Sequence, residues 1–286
     1  MKAVIAPTLG ASRASGGALP RSPEEGAQSA LGLPGGGSTV STLPATRTRI
    51  KICGLTRAED VDAAVAAGAD AVGFVLYEHS ARSVTPERAA ELAARLPPFV
   101  TPVLLFVNPT AAEVIAACAR MPLALLQFHG DETAEFCLQP GRPFIRAARI
   151  PLDQNTGASE ARFDLVEYAE IFKAAQAILL DAHVDGFGGG GKTFNWSLLP
   201  QSVNAHLVLS GGLTPANVID GILQVRPRCK TLAVDVSSGV EVSTAGGSTL
   251  KGIKSFEKIS QFVWAVRAAD EQLAKNPSHH VRVSVT

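Results

Sequence analysis

Between residues 47 and 269, short β-branched or aliphatic runs alternate with alanine-rich amphipathic stretches, and this alternation limits the possible folds more than any other feature. The runs predicted as strands are Thr48–Cys53, Ala71–Leu76, Pro102–Val107, Leu125–His129, Phe144–Ala148, Ile178–Asp181, Leu207–Ser210 and Leu232–Val236. Helical periodicity lies between them at Ala58–Ala67, Pro86–Leu96, Ala111–Arg120, Pro215–Gln224 and Phe256–Ala268. Thr85-Pro86 and Thr214-Pro215 each read as an N-cap followed by a proline at the first helical position. Strands separated by helices form parallel sheets, and eight such units in about 220 residues match the small end of the (β/α)8 TIM barrel range. A doubly wound open sheet is the alternative. The count of units and the glycine turns described below favour the closed barrel.

The flanks read differently. Gly, Pro, Ser and Ala make up 27 of the first 46 residues and no aromatic residue occurs there, so residues 1–46 are expected to be a disordered leader that cannot bury enough apolar surface to fold. No apolar h-region follows Lys2, and Glu24 and Glu25 argue against a transit peptide. Residues 270–286 are expected to be a tail, with His279 and His280 in solvent rather than on a metal. The 26 basic residues equal the 26 acidic ones, which gives no support to a nucleic-acid or anionic-membrane partner. The cysteines Cys53, Cys118, Cys137 and Cys229 form no CxxC pair. That argues against structural zinc and a disulfide framework, and points to a soluble protein of a reducing compartment, the cytoplasm.

Alternate residues of a barrel strand face the axis, so polar residues on the inward parity at a strand's C-terminal end are site candidates. Ile50 and Ile52 outward leave Lys51 and Cys53 inward; Leu126 and Phe128 outward leave Gln127 and His129; Ile178 and Leu180 outward leave Asp181; Leu232 and Val234 outward leave Asp235. Four strands thus aim chemistry at one mouth. Behind the last two strands stand Ser210-Gly211-Gly212 and Ser237-Ser238-Gly239, turns that let backbone N–H groups approach a phosphate. Loops after strands seven and eight are where such barrels commonly hold one.

Gly186–Thr193 matches GxxxxGK[ST], and its glycines also satisfy GxGxxG. Either nucleotide motif needs a strand running straight in and a long helix running out. Ala182–Asp185 intervene before it, and Pro200 arrives soon after, so a glycine-hinged loop over the mouth, carrying Lys192, is the better reading.

Taken in order, Lys51–Thr56, Ala69–Phe74, Phe106–Asn108, Gln127–Gly130, Leu179–Asp181, Gly190–Phe194, Leu209–Leu213 and Val234–Glu241 resemble the motifs of the phosphoribosylanthranilate isomerase family of tryptophan biosynthesis. The resemblance covers about residues 47 to 268. It implies an acid–base Amadori rearrangement of N-(5-phosphoribosyl)anthranilate, a small phosphosugar, without cofactor or metal. It also implies Cys53 as the base at the ribose C2 proton, Asp181 as the acid at the ring oxygen, and Arg82 beside the anthranilate carboxylate. Lys51, His129 and Asp235 would line the substrate pocket, and Gly211, Gly212, Ser237, Ser238 and Gly239 would hold the phosphate. A monomer or a homodimer is compatible with it. Two positions depart from the family: Ser83 stands where tyrosine is usual, and Asn195 where aspartate is common before the tryptophan. The long leader is not a family feature.

A cysteine base requires thiolate, and Lys51 on the same strand face is expected to favour it. An aspartate acid must instead hold its proton at neutral pH, helped by burial, by Asp235 or by the substrate's own anions. Cys118 and Cys137 lie on helical patterns and read as inert, and Cys229 as a loop residue before the eighth strand. The competing functions are another phosphosugar barrel enzyme, a nucleotide-binding protein using the glycine loop, and a silent barrel kept as a partner module.

Overall fold

The computed structural model describes residues 47–151, 163–182 and 193–275, apart from 245 and 247. The leader expected over residues 1–46, the glycine loop from Gly186 to Lys192, and His279 and His280 lie outside the described residues.

Eight parallel strands close into a barrel in chain order: β1 (Arg49–Cys53), β2 (Ala71–Val75), β3 (Thr101–Phe106), β4 (Leu125–Phe128), β5 (Phe144–Ile150), β6 (Ala177–Ala182), β7 (Val203–Leu209) and β8 (Cys229–Val236). Closure comes from β8 pairing β1, with Ile50 beside Val234 and Lys51 beside Asp235. Cys229 is therefore the first residue of a strand and not a loop cysteine. Both faces of each strand are covered, which is why the strands read as nearly unbroken apolar runs. The outward parity (Ile50, Ile52, Leu126, Phe128, Ile178, Leu180, Leu232, Val234) joins the main core under the helices. The inward parity forms two smaller clusters. Ile145, Ala147, Leu179 and Val208 fill the barrel's middle, and Cys53, Val75, Leu105 and Val107 line the mouth above β1 to β3.

The helices are α1 (Ala58–Ala67), α2 (Pro86–Ala93), α3 (Ala111–Arg120), α4 (Ala134–Leu138), α5 (Leu165–Ile171), α6 (Val218–Val225) and α7 (Phe256–Lys275). Local chemistry sets several starts. Thr85 Oγ1 accepts from Arg88 N at 3.2 Å ahead of Pro86. Thr110 and Glu113 form a reciprocal capping box before α3. The expected cap at Thr214 does not form. Asn217 accepts from Thr214 N at 2.8 Å and donates to Gly212 O at 3.0 Å, which folds Thr214–Asn217 into a turn and delays α6 to Val218. Between β6 and β7 the described residues contain only a 3₁₀ turn, Trp196–Leu198, in place of a full helix. Asn195, one of the two family departures, caps that turn by accepting from Ser197 N at 3.1 Å.

Past β8 the chain makes a 3₁₀ turn at Ser238–Val240 and an unexpected antiparallel pair, β9 (Glu241–Ser243) with β10 (Thr249–Lys254). Helix α7 then runs to Lys275, beyond the predicted boundary at residue 269, with Leu273 buried. Its Asp270 carboxylate accepts from Thr48 N and from Thr48 Oγ1 at 2.6 Å, and Arg267 donates to Thr48 O at 2.9 Å. The last helix is thereby tied to the start of the first strand. No helix among the described residues is long and apolar enough to cross a membrane.

Candidate active site

The strand parity brings Lys51, Cys53, His129, Asp181 and Asp235 to the same end of the barrel, all buried. Four of them fall into two hydrogen-bonded groups. In the first, Lys51 Nζ donates to Asp235 Oδ1 at 2.9 Å, and Ser210 Oγ donates to Asp235 Oδ2 at 3.3 Å. The carboxylate of Asp235 is engaged by lysine and serine, so it anchors Lys51 inside the barrel. Burial opposes the charge on Lys51, but Asp235 and Cys53 together outweigh it and keep the ammonium firmly protonated. Gly73, across β2, makes room for this arrangement: a Cβ there would lie 2.7 Å from Cys53 Sγ and 3.0 Å from Lys51 Nζ.

Cys53 corrects one expectation. Burial pushes its thiol up; Lys51 pulls the other way, as its position on the strand implied, and does not prevail. The resting thiol is held above its ordinary value.

The second group is a chain of three side chains. Gln127 Nε2 lies 3.1 Å from His129 Nδ1, and His129 Nε2 lies 3.0 Å from Asp181 Oδ2. Backbone bonds fix the histidine: His129 N donates to Phe106 O at 2.9 Å. Buried Arg146, outward on β5, donates to the carbonyls of Phe128 and Gly130 at 3.0 Å each and stacks on the Phe172 ring. Gly130 is needed because a Cβ would lie 2.3 Å from Asn108 Oδ1, which accepts from Asp131 N. Arg149, beside Asp181 in the β5–β6 register, forms an ion pair with Asp131.

Arg82 stands at the rim in a bidentate pair with Glu241, at 2.6 and 2.9 Å. Glu241 is fully buried and also accepts from Gly252 N at 2.9 Å and from Lys254 Nζ at 3.3 Å. Burial works against this carboxylate, but Arg82 and Lys254 outweigh it and hold it below the ordinary carboxylate range. Lys254 Nζ in turn donates to Ser237 O at 2.9 Å. One buried network therefore joins Arg82 to the turn after β8. Gly54, at φ +73°, sits against both ends of it: a Cβ would lie 2.6 Å from Arg82 Cδ and 3.1 Å from Ser237 Oγ.

The two glycine turns meet. Gly211 and Gly212 have φ of +75° and +62°, and a Cβ on Gly211 would lie 2.8 Å from Asp181 Oδ1. A Cβ on Gly239 would lie 1.9 Å from Leu213 O, far inside the closest approach of non-bonded heavy atoms. Sequence reasoning singled out the turns but not the residues that hold the site together, Gly73, Arg146, Glu241 and Lys254. The motif blocks contained Gly73 and Glu241, yet nothing in the spacing indicated what they touch. Ser83, the other family departure, bridges to Val75 and donates to Ser80 O at 3.0 Å.

The comparisons with known proteins agree on one family. Residues 50–265 match the profile of N-(5'-phosphoribosyl)anthranilate (PRA) isomerase. The N-(5'-phosphoribosyl)anthranilate isomerase of Methylibium petroleiphilum is 57% identical over 228 residues, which covers 80% of this chain and 98% of that protein. The crystal structure of phosphoribosyl anthranilate isomerase from Thermotoga maritima is 38% identical with a TM-score of 0.63, covering 77% of this chain and 99% of that one. A second solved structure, 34% identical with a TM-score of 0.58 and with the same coverage, is of the enzyme in complex with reduced 1-(o-carboxyphenylamino)-1-deoxyribulose 5-phosphate. With a profile match across the barrel and relatives at this identity over nearly their whole length, the chain belongs to the phosphoribosylanthranilate isomerase family and is an intramolecular isomerase.

Proposed function

We propose that the chain converts N-(5-phosphoribosyl)anthranilate to 1-(2-carboxyphenylamino)-1-deoxyribulose 5-phosphate on the route to tryptophan, by acid–base catalysis from Cys53 and Asp181. The observation that carries this reading is their placement. Both are buried on the inward parity at the barrel mouth, and Asp181 touches the Gly211 turn that would hold the substrate's phosphate end. Asp181 gives a proton to the ring oxygen as the C1–O bond breaks, which opens the sugar to a Schiff base. Cys53 thiolate then removes the C2 proton, and the resulting enolamine becomes the ketone. Arg82, held by Glu241, presents its remaining donors to the anthranilate carboxylate. The paired Lys51 and Asp235 act on Cys53 rather than on the substrate directly.

The test is to mix purified chain with freshly generated N-(5-phosphoribosyl)anthranilate and follow the loss of its fluorescence, in buffer free of added metal and nucleotide. Enzyme-dependent decay is expected; folded protein that leaves the spontaneous rate unchanged defeats the proposal.

The phosphate site makes its own prediction. Gly239→Ala forces the two turns apart, because its methyl cannot occupy the space of Leu213 O. The expected result is a KM raised about tenfold, or about 1.4 kcal/mol of binding, with a smaller change in kcat. An unchanged KM in the fluorescence assay would remove the Ser237–Gly239 turn from the phosphate site.

A further inference from the structure

The Gln127 amide has one hydrogen-bond partner among the described residues, the His129 ring. Its Oε1 is fully buried and has no hydrogen-bond partner among the described residues. Among the described residues no other hydrogen bond therefore fixes which way the amide faces, and a half-turn exchanges a donor for an acceptor at the same point without changing its shape. The ring's other nitrogen meets Asp181. With Nε2 of Gln127 donating to Nδ1, His129 must carry its proton on Nε2 and donate to Asp181 Oδ2, which then holds no proton to give. With Oε1 turned to the ring, Nδ1 carries the proton and Nε2 accepts from protonated Asp181.

We propose that Gln127 is a positioning residue for the acid step, selecting the His129 tautomer and so deciding whether Asp181 stands empty or loaded with its proton. This inference rests on Asp181 acting as the acid. Loading takes one proton from solvent at Nδ1 while the Nε2 proton crosses to Asp181 Oδ2. When the O–H bond of Asp181 breaks and the proton goes to the substrate's ring oxygen, the proton count returns to that of the resting state. Only the tautomer then differs, and it resets by solvent exchange as the amide turns back.

The experiment observes the ring nitrogens of His129 by 15N NMR in histidine-labelled protein, assigned by the signal lost in His129→Asn. At pH 8 without ligand, the wild type is expected to show the Nε2–H tautomer. Gln127→Glu, which can only accept, is expected to show Nδ1–H. Gln127→Leu is expected to show both forms and to lose about tenfold in kcat with KM within about twofold, because transition-state chemistry is affected and ground-state binding is not. If leucine prevents folding, Gln127→Met supplies the same test. One tautomer shared by all three proteins, or a resting Nδ1–H form in the wild type, overturns the proposal. The tautomer readout needs no turnover. An inactive chain whose His129 tautomer follows residue 127 would defeat the functional reading alone, and an active chain whose tautomer ignores it would defeat this one alone.

Discussion

Asp181→Asn is expected to lower turnover about 10²–10⁴-fold while the protein still binds the reduced product analogue, since a positioned general acid contributes on that order. Asparagine matches aspartate in shape and can still accept from His129 Nε2, now 3.0 Å from Asp181 Oδ2. It also leaves the contact with Gly211 undisturbed. What it removes is the proton. The ring-opening step then has no donor, whereas the phosphate turns and Arg82 remain as they were. Turnover and analogue titration together decide the point: loss of kcat with retained binding assigns the acid role, and near-normal kcat withdraws it. Loss of both would place Asp181 in the binding pocket alone.

The strands were legible because each is covered on both faces and so stands out as an apolar run between amphipathic stretches. Inward parity was legible for the same reason. Once Ile50 and Ile52 are outward, Lys51 and Cys53 have only the axis to face, and Asp181 follows from Ile178 and Leu180 in the same way. The shorter elements were less visible. Helix α4 is five residues long, too short to show a period of 3.6, and the β9–β10 pair has no alternating pattern.

Partnerships between distant residues were illegible in physical terms. Lys51 and Asp235 are 184 residues apart and meet only because the barrel closes; Arg82 and Glu241 are 159 apart and meet where the turn after β2 packs against the start of β9. A sequence shows the charge on each, not the partner that neutralises it. Thr214 failed as a cap because Asn217, three residues on, accepts from the N–H of Thr214 itself and donates to Gly212 O, closing a turn where the helix would have begun. Burial produced the largest electrostatic difference. The effect of Lys51 on Cys53 could be anticipated from their spacing, but the opposing and larger effect of removing the thiol from water could not.

That balance makes Cys53 the second test. Cys53→Ala is expected to cost about 10²–10⁴-fold in turnover, the usual worth of a positioned base, with the chain still folded because alanine fits the small apolar cluster of Val75, Leu105 and Val107. An inert buried thiol would instead leave turnover near normal. The pH profile sharpens the assignment. The active form is the thiolate, and burial holds the thiol above its ordinary value, so kcat/KM should keep rising with pH beyond that value before levelling. Lys51 acts in the lowering direction. Lys51→Arg keeps that charge and should leave the limb close to its place, whereas Lys51→Met should move it to higher pH. The methionine variant also leaves the Asp235 carboxylate buried without its cation, at a cost to stability of about 3–5 kcal/mol, which a denaturant titration will show as a lowered midpoint. A limb that moves in Lys51→Met, stays in Lys51→Arg and vanishes with the activity of Cys53→Ala belongs to Cys53; a limb indifferent to residue 51 belongs to another group, and Cys53 then loses its role as the base.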